Sequence, residues 1–296
     1  MAALAAVVNK AVADDKSIQL FFNTGKAQLG LAIQSGTSTD DQPNDIWEPG
    51  DDDYNGYILN PSSIAAANYR GLNCVAAVTT PKLETGATQT VNQISMVSPI
   101  YQKLSSTTLE NTNVALITTP DGNSGWLYHL SGQSADDRIL KELDLRTLST
   151  QNNTIQNVAP NASLAAFYNP DTGKRHVIYE GGGLLEYVVE DKQLFNIPSS
   201  SIPKNPAVAV AYSTDTKKIY LYYNNQDLSI LRITKDIYGW AAAATPITSA
   251  PKISEFSKMT VVQANGLNHL FYIPKDFGGA KIKATSDFQH IRDPIN

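Results

Sequence analysis

The sequence predicts an all-β protein, a six-bladed β-propeller with antiparallel four-stranded blades around a central channel. The main observation is a repeat: Ser163–Val188 and Val208–Ile233 each contain a small-apolar strand, a turn with Asp and Thr, an aromatic strand and a third strand. The copies are offset by about 44 residues, a period typical of one propeller blade. Helical periodicity is weak after the first dozen residues. A two-sheet sandwich is the alternative, but it does not explain the common internal order of the repeats.

The first 57 residues predict an N-terminal extension, a hairpin and an acidic loop. Residues 1–16 are interpreted as an extension in which Met1–Val8 forms a short strand or helix that closes the domain, the alternative being the remainder of a signal peptide. Ser17–Phe22 and Ala27–Ile33 flank Asn23–Gly25, a hairpin signal. Clustered aspartates then predict a solvated loop from Thr37 to Tyr57, in which Trp47 caps a pocket.

Asn73–Pro81 and Asn113–Pro120 form a second repeat, since each is a nearly continuous apolar run that ends in Thr-Thr-Pro. Such a run predicts a strand buried on both faces, and the proline ends the ladder because it has no amide hydrogen. The last unit has its predicted third strand at Ala280–Ala284. Counting the small-apolar first strands predicts one propeller domain over residues 1–296, with blades that start near Ser17, Asn73, Asn113, Ser163, Val208 and Met259.

Composition excludes some partners. The formal net charge is −5 and no basic face is visible, which argues against nucleic acid. No apolar run approaches the roughly 20 residues of a membrane helix. Cys74 is the single cysteine, so it forms no intrachain disulfide. The compartment stays open.

The second and third strands resemble the repeat of the fungal fucose-specific lectins, on the basis of strand order and of Ile219–Tyr223 and Tyr238–Trp240. The resemblance implies a six-bladed propeller. It also implies a sugar site between neighbouring blades, made by an Arg at the head of the second strand, a Glu on the third strand and an aromatic ring. The charged pair takes sugar hydroxyls and the ring packs the apolar face of the sugar.

The lectin motif is degenerate in this chain. The position of the arginine reads Gln19, Trp126, His176, Tyr220 and His269, so no blade keeps it in this alignment. The position of the glutamate reads Glu142, Glu186, Arg232 and Lys283. Losing the bidentate donor leaves a carboxylate without its partner, which argues against fucose recognition by this motif.

Aromatic and imidazole side chains on the second strands are the remaining signal. Catalytic signatures such as Gly-x-Ser-x-Gly and HExxH are absent, and histidines on different blades argue against a zinc site. Alternation sends about half of these rings into blade packing, which is the structural alternative to a site. Collectively they predict an apolar pocket with a few hydrogen-bond donors.

A second resemblance concerns lectin-like propellers that act as hetero-Diels–Alderases in fungal biosynthesis. The chain resembles them in length, in its degenerate lectin-like blades and in the missing sugar motif. This resemblance implies a cofactor-independent cycloaddition of a tropolone-type quinone methide with a humulene-type sesquiterpene. Holding two apolar partners in a reactive pose can remove about 7–11 kcal/mol of barrier.

The first hypothesis is therefore a cycloaddition enzyme, and the alternative is a carbohydrate-binding lectin with degenerate sites. If the pocket opens on the channel axis, the candidate donors and acids are His129, His176, His269 and Tyr220. The candidate substrate-binding rings are Trp126, Trp240, Trp47, Tyr128 and Tyr222. The predicted ligands are small apolar or aromatic molecules, with no metal and no organic cofactor. A homodimer is expected by analogy with the lectins.

Overall fold

The computed structural model describes residues 3–9, 11, 17–34, 43–47, 57–81, 86–132, 134, 137–275 and 288–295, with backbone alone for 34 and 43–47. Within these ranges the chain is all strand, turn and coil, without a helix. It follows that the described part has no helix with the length and apolarity to cross a membrane. Most of the predicted acidic loop, including Asp51–Asp53, lies outside the described residues, as does the Trp47 side chain.

The predicted all-β six-bladed propeller is confirmed: six antiparallel sheets, here called blades 1 to 6, follow one another along the chain. Blades 1 and 2 comprise β1 Leu4–Val8, β2 Ile18–Asn23, β3 Leu29–Gln34, β4 Pro43–Trp47, β5 Ile64–Tyr69, β6 Leu72–Thr79, β7 Asn92–Ser98 and β8 Gln102–Thr107. Blades 3 and 4 comprise β9 Val114–Thr118, β10 Gly125–Ser131, β11 Ile139–Asp144, β12 Thr150–Asn153, β13 Leu164–Asn169, β14 Lys174–Glu180, β15 Leu184–Val188 and β16 Gln193–Ile197. Blades 5 and 6 comprise β17 Val208–Ser213, β18 Lys218–Asn224, β19 Ile230–Asp236, β20 Gly239–Trp240, β21 Thr245–Pro246, β22 Thr260–Ala264, β23 Leu267–Tyr272 and β24 Gln289–Pro294.

The first strand of each blade is innermost, and these six strands form a closed ring in which β22 contacts β1. They surround a narrow channel of about 140 Å³. Small side chains recur at its wall, because only they let six strands meet around one axis; the examples are Ala5, Ala65, Ala115, Ala165 and Ala209. The described channel wall contains none of the histidines or aromatic residues predicted for a pocket on the axis.

Apolar packing between blades supplies the core. Six buried clusters fill the six interfaces, so each sheet is covered on both faces. The interface of blades 3 and 4, for example, buries Tyr128 against Val177 and Tyr179. At the closing interface Phe271 of blade 6 packs with Leu20 of blade 1.

The first two predicted blade starts are corrected. Leu4–Val8, predicted as part of an extension, is the inner strand of blade 1, and Ile64–Tyr69 is the inner strand of blade 2. The runs beginning at Ser17 and Asn73 contain second strands instead. The error has a physical cause: second strands are also buried on both faces, so they too read as continuous apolar runs.

The third strand of blade 6 also differs from the prediction. The strand that pairs with Leu267–Tyr272 is Gln289–Pro294. The predicted segment Ala280–Ala284, with Lys283, lies outside the described residues.

The turn between β13 and β14 is closed by Asn169, two residues before the predicted turn residue Asp171. Asn169 Oδ1 accepts the amide of Asp171 at 3.0 Å, and the Asn169 carbonyl accepts the amide of Gly173 at 2.9 Å. Asp171 instead reaches blade 5, where it accepts hydrogen bonds from Tyr212 and Lys217. A residue read as a turn signal thus links two blades.

His129, a candidate donor from the sequence, is fully buried on β10. Its Nδ1 lies 3.1 Å from the Leu130 carbonyl oxygen, and its Nε2 has no hydrogen-bond partner among the described residues. Burial lowers the pKa of His129 to about 4. The ring is therefore neutral in the folded protein at pH 7.

This burial predicts an acid-sensitive stability. Between pH 6.5 and 4 the unfolded chain protonates His129 and the folded chain does not, so the free energy of unfolding falls as the pH falls through this window. The full loss corresponds to about 3 kcal/mol. Urea unfolding of the wild type and of His129→Gln from pH 7.5 to 4 checks this. The variant is expected to lose less stability over that range, and parallel losses would contradict the assignment.

Candidate binding site between blades 4 and 5

A buried carboxylate stands at the centre of the interface between blades 4 and 5. Glu186, on the third strand β15, is fully buried. Its Oε1 lies 2.7 Å from His176 Nδ1, and its Oε2 accepts hydrogen bonds from Lys235 Nζ at 2.6 Å and Trp240 Nε1 at 2.9 Å. Burial alone would raise the pKa of Glu186, but the hydrogen bonds from His176 and Lys235 outweigh it and hold the pKa below its usual value. The group is an anion in the folded protein.

Strand register explains how these side chains meet. On blade 4, His176 pairs with Val188, two residues beyond Glu186, so the two side chains are diagonal neighbours on one face. On blade 5, Lys235 and Trp240 face each other across a tight hairpin. The blade interface then brings the two pairs together.

Aromatic rings surround this cluster. The ring of Phe167 stacks on His176 at 4.5 Å and on Tyr212 at 6.5 Å between centroids. The ammonium of Lys235 lies 4.9 Å from the Phe195 ring centroid and 5.7 Å from that of Trp240. The cation is therefore held by a carboxylate and by two ring faces.

A cavity of about 280 Å³ opens at this interface. His176, Phe195, Tyr212, Lys235 and Ile237 contribute to its wall. His176 is 6% exposed, and its Nε2 has no hydrogen-bond partner in the described part of the chain. Buried polar atoms in native structures are normally paired, so this nitrogen is an exception. The cavity is close to the lower end of the about 300–1,000 Å³ of small-molecule pockets.

The equivalent interface between blades 3 and 4 is closed by an arginine. Arg175, on the second strand of blade 4, donates to Glu142 of blade 3 and to Glu190 of its own blade, both at 2.5 Å. Its guanidinium also lies 4.6 Å from the Trp126 ring centroid, and Trp126 stacks on Tyr168 at 6.2 Å. The guanidinium thus fills the space between Glu142, Glu190 and Trp126 at this interface.

The interface between blades 5 and 6 has the charges reversed. Arg232 takes the position of the glutamate on β19, and its Nη1 donates to both carboxylate oxygens of Asp293 at 2.7 and 2.8 Å. Tyr222 donates to the same carboxylate at 2.6 Å. At three successive interfaces, the charged residue of the third strand thus pairs with an opposite charge from the next blade.

The sequence predicted that loss of the arginine leaves the third-strand carboxylates without a cationic partner, and the structure corrects this prediction. Glu142 and Glu186 both have cationic partners, Arg175 and Lys235, from the following blade. Sequence alignment placed His176 at the position of the arginine and passed over its neighbour Arg175, which lies one residue earlier on the same strand. An alignment of the repeats compares equivalent positions, so it does not show which residue of one blade pairs with a residue of the next.

The predicted site residues are distributed over several interfaces. His176 and Trp240 share the cluster of Glu186, whereas Trp126 and Tyr128 belong to the interface of blades 3 and 4 and Tyr220 and Tyr222 to that of blades 5 and 6. His269 is fully buried in blade 6, with its Nδ1 2.9 Å from His290 Nε2. Lys235, Phe195 and Tyr212 were absent from the predicted set. Their recognition required the contact between blades.

The fold is similar to that of fucose-binding lectins. The chain matches the SapL1 lectin in complex with α-methyl fucoside (TM-score 0.67, 10% identity, 98% of this chain and 92% of that chain). It matches the lectin of Aleuria aurantia in complex with α-methyl-L-fucoside (TM-score 0.65, 11% identity, 99% and 95%) and AofleA of Arthrobotrys oligospora (TM-score 0.63, 11% identity, 100% and 87%). At these identities the similarity shows the fold, a six-bladed propeller of the fucose-lectin type.

Two curated relatives are similar in sequence. They are wall-associated proteinases of Coccidioides immitis, 27% identical over 259 residues, and of Coccidioides posadasii, 26% identical over 259 residues. Each alignment covers 80% of this chain and 80% of the relative. No protein-family model matches the chain.

The closed interface of blades 3 and 4 predicts a large cost for breaking its ion pair. Arg175→Met leaves the nearly buried Glu142 carboxylate without its cation, and about 3–5 kcal/mol of stability is expected to be lost. The double variant Arg175→Met/Glu142→Gln should recover part of it. Chemical denaturation measures both.

Lys217→Met is the matched control, because Lys217 forms a more exposed ion pair with Asp171. It is expected to change stability by no more than about 1 kcal/mol. Equal losses of stability in Arg175→Met and Lys217→Met would contradict the prediction that breaking the buried ion pair costs more than breaking the exposed one.

Proposed function

We propose that the protein binds carbohydrate, and that its ligand site is the cavity between blades 4 and 5. The observation that carries the proposal is that His176 and Lys235, both at the wall of this cavity, bond to the buried Glu186 behind it, to which Trp240 also donates. In the lectins that the chain resembles, the sugar lies between neighbouring blades against an Arg, a Glu and an aromatic ring. His176 and Glu186 occupy the corresponding second and third strands.

The chemistry of the cavity suits a neutral polyol. His176 Nε2 can exchange one hydrogen bond with a hydroxyl, and Lys235 keeps further N–H donors beyond the one given to Glu186. Phe195 and Tyr212 offer ring faces to the apolar side of a sugar. Fixed donors beside ring faces are the arrangement by which pockets orient small polar ligands.

The altered residues predict a specificity that differs from fucose. A histidine gives one ring nitrogen where an arginine gives a planar fork, so bidentate recognition is lost. The neighbouring interfaces are closed by Arg175 and by the Arg232–Asp293 pair. The expected ligand is a glycan that binds mainly at one interface, without the avidity of a ring of sites.

The names of the two relatives suggest which class of carbohydrate the protein binds. A protein described as wall-associated is expected to meet cell-wall glycan, and we extend that expectation to this chain. The term proteinase finds less support here. His129 bonds to a carbonyl oxygen and His176 to a carboxylate, while His269 bonds to His290 and to a carbonyl oxygen. None of these three histidines bonds to a serine or a cysteine. A hydroxyl or thiol nucleophile needs such a base within reach.

The cycloaddition predicted from the sequence is the second candidate, and the same cavity supports it. The rings of Phe195 and Tyr212 could hold a flat apolar partner, and Lys235 could stabilise developing negative charge on an oxygen. Tropolone-type and humulene-type substrates incubated with the protein test this directly. Acceleration lost in Phe195→Ala would support it, and turnover equal to that without protein would exclude it.

Carbohydrate binding is tested on a glycan array that includes fungal wall polysaccharides and fucosides, followed by calorimetry on the best ligand. His176→Ala is expected to weaken binding by at least about tenfold because it removes a side chain of the cavity wall. Trp240→Ala is expected to do the same because it removes a hydrogen-bond donor to Glu186, the carboxylate that positions His176 and Lys235. Trp126→Ala, at the closed interface, is the control and should bind like the wild type. An array without hits, or equal weakening by Trp126→Ala, would contradict the proposal.

A further inference from the structure

Two exposed apolar residues lie at the rim of the cavity between blades 4 and 5. Ile237 contributes to the cavity wall and is nevertheless 82% exposed, so it marks the place where the cavity opens to solvent. Tyr238 follows it and is 91% exposed. Both belong to the turn Asp236–Gly239 between β19 and β20, here called the rim hairpin. Among the described residues, no other large apolar side chain is as exposed as these two.

Formation of the turn does not require these two side chains. Asp236 Oδ1 accepts the amide hydrogen of Tyr238 at 2.8 Å, and Gly239 has a φ of +125°, a conformation that glycine adopts readily. The residues between them can therefore be polar, as turn residues usually are. The corresponding turn of blade 4, Val189–Lys192, has three charged residues. The folding of the rim hairpin thus leaves its isoleucine and its tyrosine unexplained.

The base of the rim hairpin is anchored to blade 4. Lys235 and Trp240 face each other there, and both donate hydrogen bonds to Glu186. The same carboxylate lies 2.7 Å from Nδ1 of His176, a residue of the cavity wall. The rim hairpin is therefore held in place relative to the cavity, and binding a ligand against Tyr238 does not require a loop to become ordered.

The cavity by itself accommodates only a small ligand. Its volume of about 280 Å³ is below the about 300–1,000 Å³ of pockets that enclose drug-sized molecules. A chain of several sugars therefore extends beyond the cavity to its rim. Phe195 of blade 4 lines the cavity and is 41% exposed, and Ile237 and Tyr238 belong to blade 5. The opening of the cavity thus has exposed apolar side chains from both blades.

The charges of the cavity wall favour an uncharged ligand. The three lysines of the described wall each have a carboxylate partner at 2.6–2.8 Å. Asp236 of the rim hairpin also lines the cavity, and it has no cationic partner in the part of the chain that the structure describes. An anionic ligand would have to compete for cations that are already paired and would meet a further negative charge.

The exposed apolar surface at the rim is too small for a protein partner. A specific protein interface buries about 800 Å² on each side and involves about 20–30 residues of each protein. The exposed apolar side chains at this opening are those of Phe195, Ile237 and Tyr238. Such a set suits the apolar face of one further sugar.

We propose that Ile237 and Tyr238 form a second sugar position at the rim, so that the ligand is a neutral oligosaccharide of at least two units. The Tyr238 ring packs on the apolar face of the sugar outside the cavity. Its hydroxyl bonds to no other described residue and can exchange a hydrogen bond with a sugar hydroxyl. The second position requires the carbohydrate binding proposed above and adds the length and the charge of the ligand.

Calorimetry with a monosaccharide, a disaccharide and a trisaccharide of the best array ligand tests the proposal. The wild type is expected to bind the two longer ligands at least about fivefold more tightly than the monosaccharide. Tyr238→Ala should bind the longer ligands no better than the monosaccharide, for which its affinity should equal that of the wild type. Tyr238→Phe should keep most of the gain, because it retains the ring.

Tyr101→Ala is the matched control, because Tyr101 is an exposed ring in the turn between β7 and β8 of blade 2. It should leave the binding of all three lengths unchanged. Equal affinities of the wild type for the three lengths, or a gain that survives in Tyr238→Ala, would contradict the second sugar position and leave binding in the cavity standing. Tighter binding of an anionic oligosaccharide than of a neutral one of equal length would contradict the assigned charge. A wild type that binds none of the three lengths would overturn carbohydrate binding itself, and the second position with it.

Discussion

The packing of each sheet between two others is the constraint on which the whole structure depends. A propeller ring closes only if every blade is apolar on both faces, and all six interfaces meet this condition with a buried cluster. The alanines of the inner strands follow from the same geometry, because larger side chains would keep the strands from meeting at the axis.

Buried charge in this frame must be compensated within the chain. Glu142, Glu186 and Arg232 stand at related positions on three third strands, and each has an opposite charge supplied by the following blade. An unpaired charge at these positions would cost several kcal/mol, which is the physical reason for a partner of opposite sign at each of them. The fold of the lectins is kept, and each of the three interfaces holds an ion pair between neighbouring blades.

The interface of blades 4 and 5 differs in having room beside its ion pair. His176 retains an unpartnered ring nitrogen there, and two aromatic rings lie against the Lys235 cation. This nitrogen breaks the general rule that buried polar groups are satisfied, and such exceptions are more informative about function than the well-paired sites around them.

The sequence by itself determined the class of fold, the number of blades and the strands of the clearer repeats, since alternation and turn chemistry are local properties. It also identified Glu142 and Glu186 as third-strand carboxylates. Only the tertiary structure decided which strands of blades 1 and 2 are innermost, because strands covered on both faces carry the same apolar pattern. It alone paired Glu142 with Arg175 and Glu186 with Lys235, residues 33 and 49 positions apart in the chain. Contacts between blades join different repeats, and no periodicity within one repeat encodes its neighbour.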